Sequence, residues 1–233
     1  MNLSNSLDKI KTFKKVGQVA DNLGMETYVV GGFVRDILLK RPCKDLDFVC
    51  IGDGIKLAKA VADALEGKPQ VSIFKNFGTA MIKMDEWELE FVGARKESYQ
   101  IHSRKPKVEA GTLAEDQERR DFTINALGIG LNANNFGELL DPYDGVKDLK
   151  RKIIRTPTDP DITFSDDPLR MMRAIRFAAQ LKFDIEANTF DGIINNAHRM
   201  SIISGERTIV ELNKIIMTDK PSYGFKLLFV SGL

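Results

Sequence analysis

Two histidines, two cysteines and a net charge of only +1 in 233 residues remove several function classes before any motif is read. His102 and His198 are too few and too far apart for a histidine metal centre, and read as surface or locally bonded side chains. Cys43 and Cys50 have neither the spacing of a zinc site nor the density of a disulfide framework, so both are expected as reduced thiols in a cytoplasmic protein. No apolar stretch approaches the length of a membrane span, and Asn2, Ser4, Asn5 and Asp8 stand where a signal peptide would carry its apolar core. With 34 basic against 33 acidic side chains there is no overall field for nucleic acid, and such a partner has to be held by a local patch. What remains is an ordinary soluble composition, 43% hydrophobic and 29% charged, sufficient for one large domain or two small ones.

The chemistry begins at Gly31-Gly32-Phe33-Val34-Arg35-Asp36, followed by Asp45-Leu46-Asp47. The β-prone residues 27–30 run into the two glycines, where a strand ends and the chain turns. Glycines there let backbone N–H groups approach an anion closely, and residues 33–39 read as a helix whose start favours negative charge. Arg35 could add a charged fork. After the breaker Arg41-Pro42, residues 44–51 read as a second strand, and a period of two puts Asp45 and Asp47 on one face with Leu46 and Phe48 on the other. Taken singly, a Gly-Gly turn or an Asp-x-Asp at a strand edge is commonplace. In this order they form a phosphate turn beside two carboxylates able to hold Mg²⁺, and a two-ion site would suit phosphoryl or nucleotidyl transfer.

Along the chain, Leu7, Ile10, Phe13, Val16, Val19 and Leu23 predict a leading amphipathic helix over 6–23 that stops at Gly24. A helix over 54–65 and strands over 70–74, 79–84 and 88–94 follow, and the scarcity of crossover helices predicts antiparallel pairing. The polar stretch 95–114, with Arg104, Lys105, Pro106 and Lys107, reads as a mobile basic loop. Helical character returns over 113–129, and 137–154 holds a short strand and the turn Asp141-Pro142-Tyr143-Asp144-Gly145. Pro157 and Pro160 mark a linker, beyond which helical patterns dominate with no clear strand. The expectation is therefore an α/β head over 1–156, with a mixed or antiparallel sheet of about five strands, and an all-α neck over 157–233.

Three further clusters carry chemistry. Glu88 and Glu90 share a strand face, so either could be a third carboxylate, while a solvated edge strand would look the same. Arg120 and Asp121, at the start of an apolar helix, could clamp a triphosphate and accept from a ribose hydroxyl, or could simply cap that helix. In Asp166-Asp167-Pro168-Leu169-Arg170, followed by Arg173 and Arg176, a carboxylate beside a guanidinium offers an acceptor and a donor in fixed order. Cytosine and adenine both present an amino donor beside a ring-nitrogen acceptor, whereas uracil and guanine present a carbonyl beside a ring N–H. One such pair can accept C and A and reject U and G, because a wrong base strands buried polar groups at about 1–3 kcal/mol each. The plain alternative is a capped helix with an i,i+4 ion pair.

The succession GGFVRD with DLD, LEFVGARKESY, RRDFTINAL, DPYDG, DDPLRMMRAIRF and ISGERTIVELNKI resembles the motifs of the class II tRNA nucleotidyltransferases, the bacterial CCA-adding and poly(A) polymerase family, across residues 28–217. The resemblance implies that Asp45 and Asp47 bind metal, as two Mg²⁺ ions in the family manner, with Glu90 as third carboxylate. It implies that Gly32 and Arg35 contact the incoming triphosphate, and Arg120 with Asp121 the triphosphate and ribose. Asp167 and Arg170 would be the protein template for CTP and ATP, supported by Arg173 and Arg176, and the tRNA 3′ end would be extended by C, C and A. Glu206 and Arg207, at the start of a neck helix, would be structural. Relatives with poly(A), A-only or CC-only activity would share most of these motifs, and a binding module without turnover stands as a further alternative. Two departures stand out: Asp166 occupies a position where the family commonly has Glu, and the chain stops at Leu233, soon after the neck begins. Phe225 to Phe229 reads as a helix cut mid-course, which suggests a fragment.

Overall fold

The structure, a computed structural model, describes residues 1–84, 86–100 and 103–233, with side chains described outside Asn76, 97–100 and 103–107. His102 and the side chains of Arg104, Lys105, Pro106 and Lys107 therefore lie outside the described residues. The chain divides into two compact units, one of Met1–Lys96, Glu109–Gln117 and Asn125–Pro142, the other of Glu97–Val108, Glu118–Ile124 and Tyr143–Leu233.

The first unit opens with α1 (Ser4–Leu7) and α2 (Lys11–Leu23), which closes on Gly24 in the left-handed conformation. Then come β1 (Thr27–Val30), α3 (Gly32–Leu38), β2 (Asp45–Cys50), α4 (Gly54–Ala64), β3 (Val71–Phe74), β4 (Thr79–Lys83) and β5 (Glu88–Gly93). β6 (Arg95–Gln100) and β7 (Ser103–Ala110), which follow in the chain and of which Glu97–Val108 belongs to the second unit, form a two-stranded sheet of their own. The mobile loop expected over 95–114 is thus corrected to strands. Their residues are almost all polar, so no alternation of apolar side chains announces them.

After β7 come α5 (Leu113–Glu118), β8 (Gly128–Gly130) and β9 (Leu139–Leu140), completing a seven-stranded sheet in the order β3-β4-β5-β2-β1-β8-β9. All its pairings are antiparallel except β2 with β5, so the sheet is mixed, as expected, but larger than the five or so strands anticipated. The helix expected over 113–129 stops at Glu118. A 3-10 turn (Thr123–Asn125) follows, and then the strand β8. Residues 121–132 are buried throughout, and a segment buried on all sides carries no period to separate helix from strand.

One face of this sheet is the core. Leu46, Phe48, Leu89, Phe91, Ala80 and Ile82 are fully buried there, with Leu57, Ala58 and Val61 of α4 and Phe13 of α2. Phe48 stacks on Phe91 (centroids 4.8 Å, 14°), and Phe13 touches both Phe48 (6.0 Å) and Phe33 of α3 (5.1 Å). α4 starts against β5 so closely that a Cβ on Gly54 would lie 2.7 Å from the Val92 backbone, which explains glycine there.

The second unit contains α6 (Gly145–Arg151), β10 (Ile153–Ile154), α7 (Pro160–Asp166), α8 (Leu169–Leu181), β11 (Asp184–Ile185), α9 (Ala187–Asn196), α10 (Gly205–Ile216) and α11 (Pro221–Ser231). β11 pairs in parallel with β10, so the stretch expected to lack strands has one of two residues. α8 is the centre. Its Leu169, Met172 and Ile175 pack with Ile203, Ile215 of α10 and Leu228 of α11. α11 closes on Gly232, a left-handed cap whose N–H donates to the Leu228 and Phe229 carbonyls. Among the described residues no helix is long and apolar enough to cross a membrane.

Burial of Cys50 at the end of β2, reinforced by nearby Asp53, pushes its thiol from 9.0 up to about 12. The folded chain therefore holds this proton where the unfolded chain releases it. Its contribution is complete below pH 9 and is lost as pH rises toward 12. Cys50→Ala should lower stability at pH 8 yet make the alkaline decline between pH 8 and 11 shallower, by about 2–3 kcal/mol. Urea unfolding of both proteins between pH 8 and 11 measures this, and parallel declines would refute it.

Candidate functional site

The face of the large sheet opposite the aromatic core carries the acids. In the parallel β2–β5 pair, Asp45 stands opposite Glu88 and Asp47 opposite Glu90, while Leu46 meets Leu89 and Phe48 meets Phe91 on the core side. Both acidic pairs therefore share one face, and the register brings the sequence-predicted Glu90 beside Asp47. Asp45 is exposed and Asp47 half-buried. Glu88 is drawn into a 3.0 Å ion pair with Lys83 of the neighbouring strand. Burial and then the Asp47 charge push the Glu90 carboxyl above its ordinary range, with Arg95 acting in the opposite sense. Among the described residues no group of three metal-type ligands is already gathered in coordinating geometry. The donor set is nevertheless all hard oxygen, and its mutual repulsion is what a divalent cation would relieve, so Asp45, Asp47 and Glu90 fit such an ion.

The glycine turn adjoins this face, because Val30 pairs with Asp47 immediately before Gly31. Gly31 adopts φ 72°, ψ −131°, a region open only to glycine, and its N–H donates to the Leu127 carbonyl at 3.0 Å. Gly32 begins α3 and lies over the Arg35 guanidinium, so that a Cβ placed there would meet Nη2 at 3.6 Å. Arg35 itself is buried. Its Nε and Nη2 donate to the two Asp36 oxygens at 3.0 and 2.8 Å, and Nη1 to Asn125 Oδ1 at 2.8 Å. The expected charged fork is thus engaged inside the protein, beneath the turn. Asp36 and Asn125 join the site as partners of Arg35, and no sequence pattern couples them.

In the second unit, Asp121 is buried. Its Oδ1 accepts from the Phe122 N–H at 2.8 Å and its Oδ2 from Arg173 Nε at 2.8 Å. Arg120 is half-buried beside it in sequence. Asp167, between α7 and α8, accepts from the Leu169 N–H at 3.2 Å and faces Arg207 Nη2 at 3.5 Å. Arg170 is buried, donating to the carbonyls of Arg119 (2.6 Å) and Thr163 (3.5 Å). Arg176 pairs with buried Glu211 of α10 at 3.0 Å and lies over the Phe177 ring at 4.0 Å, while Arg173 lies 5.6 Å from the same ring. The Asp121 charge raises the Arg173 pKa further against its burial. The unit thus gathers Asp121, Asp167, Arg170, Arg173 and Arg176 along α8 and the segments packed on it. Arg207 and Glu211 reach this cluster from α10. Their spacing of four on an amphipathic helix is a signal for a charged stripe, but it does not say what the stripe faces.

Comparison with known proteins identifies the family. The family model described as the poly A polymerase head domain matches residues 27–155, and one described as a probable RNA- and SrmB-binding site of polymerase A matches 182–233. The A-adding tRNA nucleotidyltransferase of Aquifex aeolicus is 45% identical over 165 residues, 71% of this chain and 20% of that protein. The CCA-adding enzyme of Ligilactobacillus salivarius is 36% identical over 228 residues, 97% of this chain and 54% of that one. A solved structure of a tRNA nucleotidyltransferase complexed with a primer tRNA and an incoming ATP analogue superposes with a TM-score of 0.80 at 35% identity, covering 93% of this chain and 60% of that one. The chain thus spans about half or less of the length of these two curated relatives. Enzymes of this kind generally work with divalent metal ions. With its acidic strand pair, glycine turn and arginine-bearing helix in the family's order, and the head-domain model matched over more than half its length, the chain belongs to the class II tRNA nucleotidyltransferases, the family of CCA-adding enzymes and bacterial poly(A) polymerases.

Proposed function

We propose that this chain carries the catalytic head and nucleotide-selecting neck of a cytoplasmic enzyme that adds C, C and A to the tRNA 3′ end from CTP and ATP. In this reading the head spans 1–156 and the neck 157–233. The observation that carries it is the register of β2 with β5, which sets Asp47 beside Glu90 next to a glycine-only turn. Two Mg²⁺ ions held by Asp45 and Asp47, with Glu90 as the third carboxylate, would activate the RNA 3′ hydroxyl and stabilise the departing pyrophosphate. The chain's own residues do the rest. The Gly31–Gly32 turn lets the triphosphate approach the backbone, and Arg35 fixes the turn from below through Asp36 and Asn125. Arg120 supplies a charge for the triphosphate. Asp121 holds Arg173 in place and could accept from the ribose through the same carboxylate.

Base choice falls to Asp167 and Arg170. Asp167 presents a half-buried acceptor, held only loosely by Arg207 at 3.5 Å. Arg170 exchanges a backbone carbonyl for the ring nitrogen of C or A. Arg173 and Arg176 brace α8 through Asp121 and Glu211. A second reading, addition of A alone, is favoured by one observation, the 45% identity to an A-adding relative.

Incubating the chain with tRNA lacking its terminal CCA, Mg²⁺ and each labelled nucleotide in turn separates the readings. C followed by A supports the first, A only on a CC-ended substrate supports the second, and binding without product refutes both. Asp45→Ala should abolish incorporation with no loss of thermal stability, and substantial residual activity would overturn the metal assignment. Changing Asp167 and Arg170 together should relax discrimination against UTP and GTP, by about tenfold or more, with little effect on metal affinity. Selectivity equal to that of wild type would rule out the template role. Asp121→Ala, which strands the Arg173 guanidinium, should lower stability by about 1–3 kcal/mol in urea unfolding, and an unchanged midpoint would show that the pair is idle.

A further inference from the structure

Two phenyl rings stand exposed at the edge of the sheet that bears the acids. Phe74, the last residue of β3, is 44% exposed, and Phe77, in the 3-10 turn between β3 and β4, is 68% exposed, with exposed Lys75 between them. Burying aromatic surface is worth more than almost any other side-chain transfer, so two large rings left in solvent beside a charged side chain need an explanation. Packing does not supply it. The core side of β3 is served by Ile73, which pairs with Ala80, itself opposite Phe91.

The register fixes which face Phe74 occupies. Asp47 is opposite Glu90, Glu90 opposite Met81, and Met81 opposite Ser72, so these four share a face. Phe74 lies two residues beyond Ser72 on the same strand and returns to that face, opposite Thr79. Three strand spacings and two residues of rise separate its Cα from that of Asp47, roughly 16 Å. A few nucleotides of single strand cover that distance.

The turn is also built, not merely loose. Gly78 takes φ 61° to close it, the Thr79 hydroxyl donates to the Phe77 carbonyl at 3.3 Å, and Arg95 Nη1 donates to the same carbonyl at 3.5 Å. Arg95 is the residue whose charge is felt by Glu90. One guanidinium thus reaches the Phe77 carbonyl while its charge acts on a carboxylate of the candidate centre.

We propose that Phe74 and Phe77, with Lys75, form a stacking platform for an unpaired base of the RNA whose 3′ end enters the carboxylate site. The inference rests on the nucleotidyl-transfer reading above and names a positioning surface for its primer. The phenyl faces take any base, because every base has a π-face, and Lys75 meets the adjoining phosphate. Phe74 lies on the same face as the carboxylates, with Lys75 and Phe77 in the turn that follows it, which is why the occupant is the primer and not a separate partner.

The test uses the full chain and a labelled single-stranded RNA pentanucleotide ending in CC, in EDTA so that no chemistry intervenes. Fluorescence anisotropy should show the Kd of Phe74→Ala/Phe77→Ala raised about tenfold over wild type, with Phe77→Tyr restoring binding and Phe77→Leu failing to do so. In the complete reaction the same double variant should raise the KM for the RNA and leave that for ATP and kcat at saturating RNA unchanged. Both rings are exposed, so loss of fold is not expected, and thermal melting checks it. A double variant that binds within twofold of wild type overturns the proposal, as does a Leu variant that binds as well as Phe, which would mean generic apolar contact. A change of oligomeric state with RNA binding intact would assign the rings to self-association through the β3 edge and overturn it too. A wild-type chain that binds the oligonucleotide, with the ring variants weakened, but transfers no nucleotide would refute the enzymatic reading and leave the platform standing.

Discussion

The parallel pairing of β2 with β5 places like charges opposite one another twice, Asp45 with Glu88 and Asp47 with Glu90. Directly opposed like charges destabilise a sheet by up to about 1 kcal/mol a pair, so no local preference would choose this register. It is imposed from the other face. Leu46 meets Leu89, and Phe48 stacks on Phe91, all four fully buried. Sliding either strand by one residue would send the phenyl rings to solvent and the carboxylates into the core, a far larger loss. The apolar face thus holds the acidic face in an arrangement that it would not adopt alone. A cation would relieve the stored repulsion, while Lys83 already answers Glu88 and leaves the Asp47–Glu90 pair as the more electronegative spot.

The same aromatic cluster extends this order to the glycine turn. Phe13 of α2 touches Phe33 at the start of α3 as well as Phe48, so the helix that follows Gly31 is pinned to the strand that carries Asp47. Arg35 completes the link from within the helix, reaching Asn125 across 90 residues of sequence. Buried guanidinium groups need several acceptors to offset their desolvation, and Arg35 reaches Asp36 and Asn125 through at least three hydrogen bonds. It is a rigid base for the turn, with its charge largely neutralised by Asp36.

These features were unequally legible in the sequence. β1, α3, β2 and α8 could be read because glycine, proline and a clear period of two or of 3.6 mark them. That Asp45 and Asp47 share a face followed from the period alone. The direction in which β5 runs beside β2 did not, since alternation is identical in parallel and antiparallel strands, and so Glu88 and Glu90 could not be separated as partners. β6 and β7 were hidden for the opposite reason: few apolar side chains mark their faces. The partners of the arginines lie far off in the chain, 40 residues between Asp167 and Arg207 and 52 between Asp121 and Arg173, and charge patterning within one helix could not anticipate them.

α8 combines rigidity with exchangeability, which bears on the base choice proposed for Asp167 and Arg170. Arg173 and Arg176 are held by carboxylates that are themselves almost fully buried, so their positions are fixed. Arg170 is held by two backbone carbonyls, and Asp167 by one backbone N–H and a guanidinium 3.5 Å away. Neutral acceptors bind a guanidinium more weakly than a carboxylate does, so Arg170 can give up a carbonyl for a ring nitrogen at little net cost. For a base with a ring N–H in that place, the carbonyl would be surrendered and nothing regained. In the proposed role, selection by such a pair would come less from a strong contact with the right base than from the donor that the wrong one leaves unpaired, and two side chains would then accept both C and A while refusing U and G.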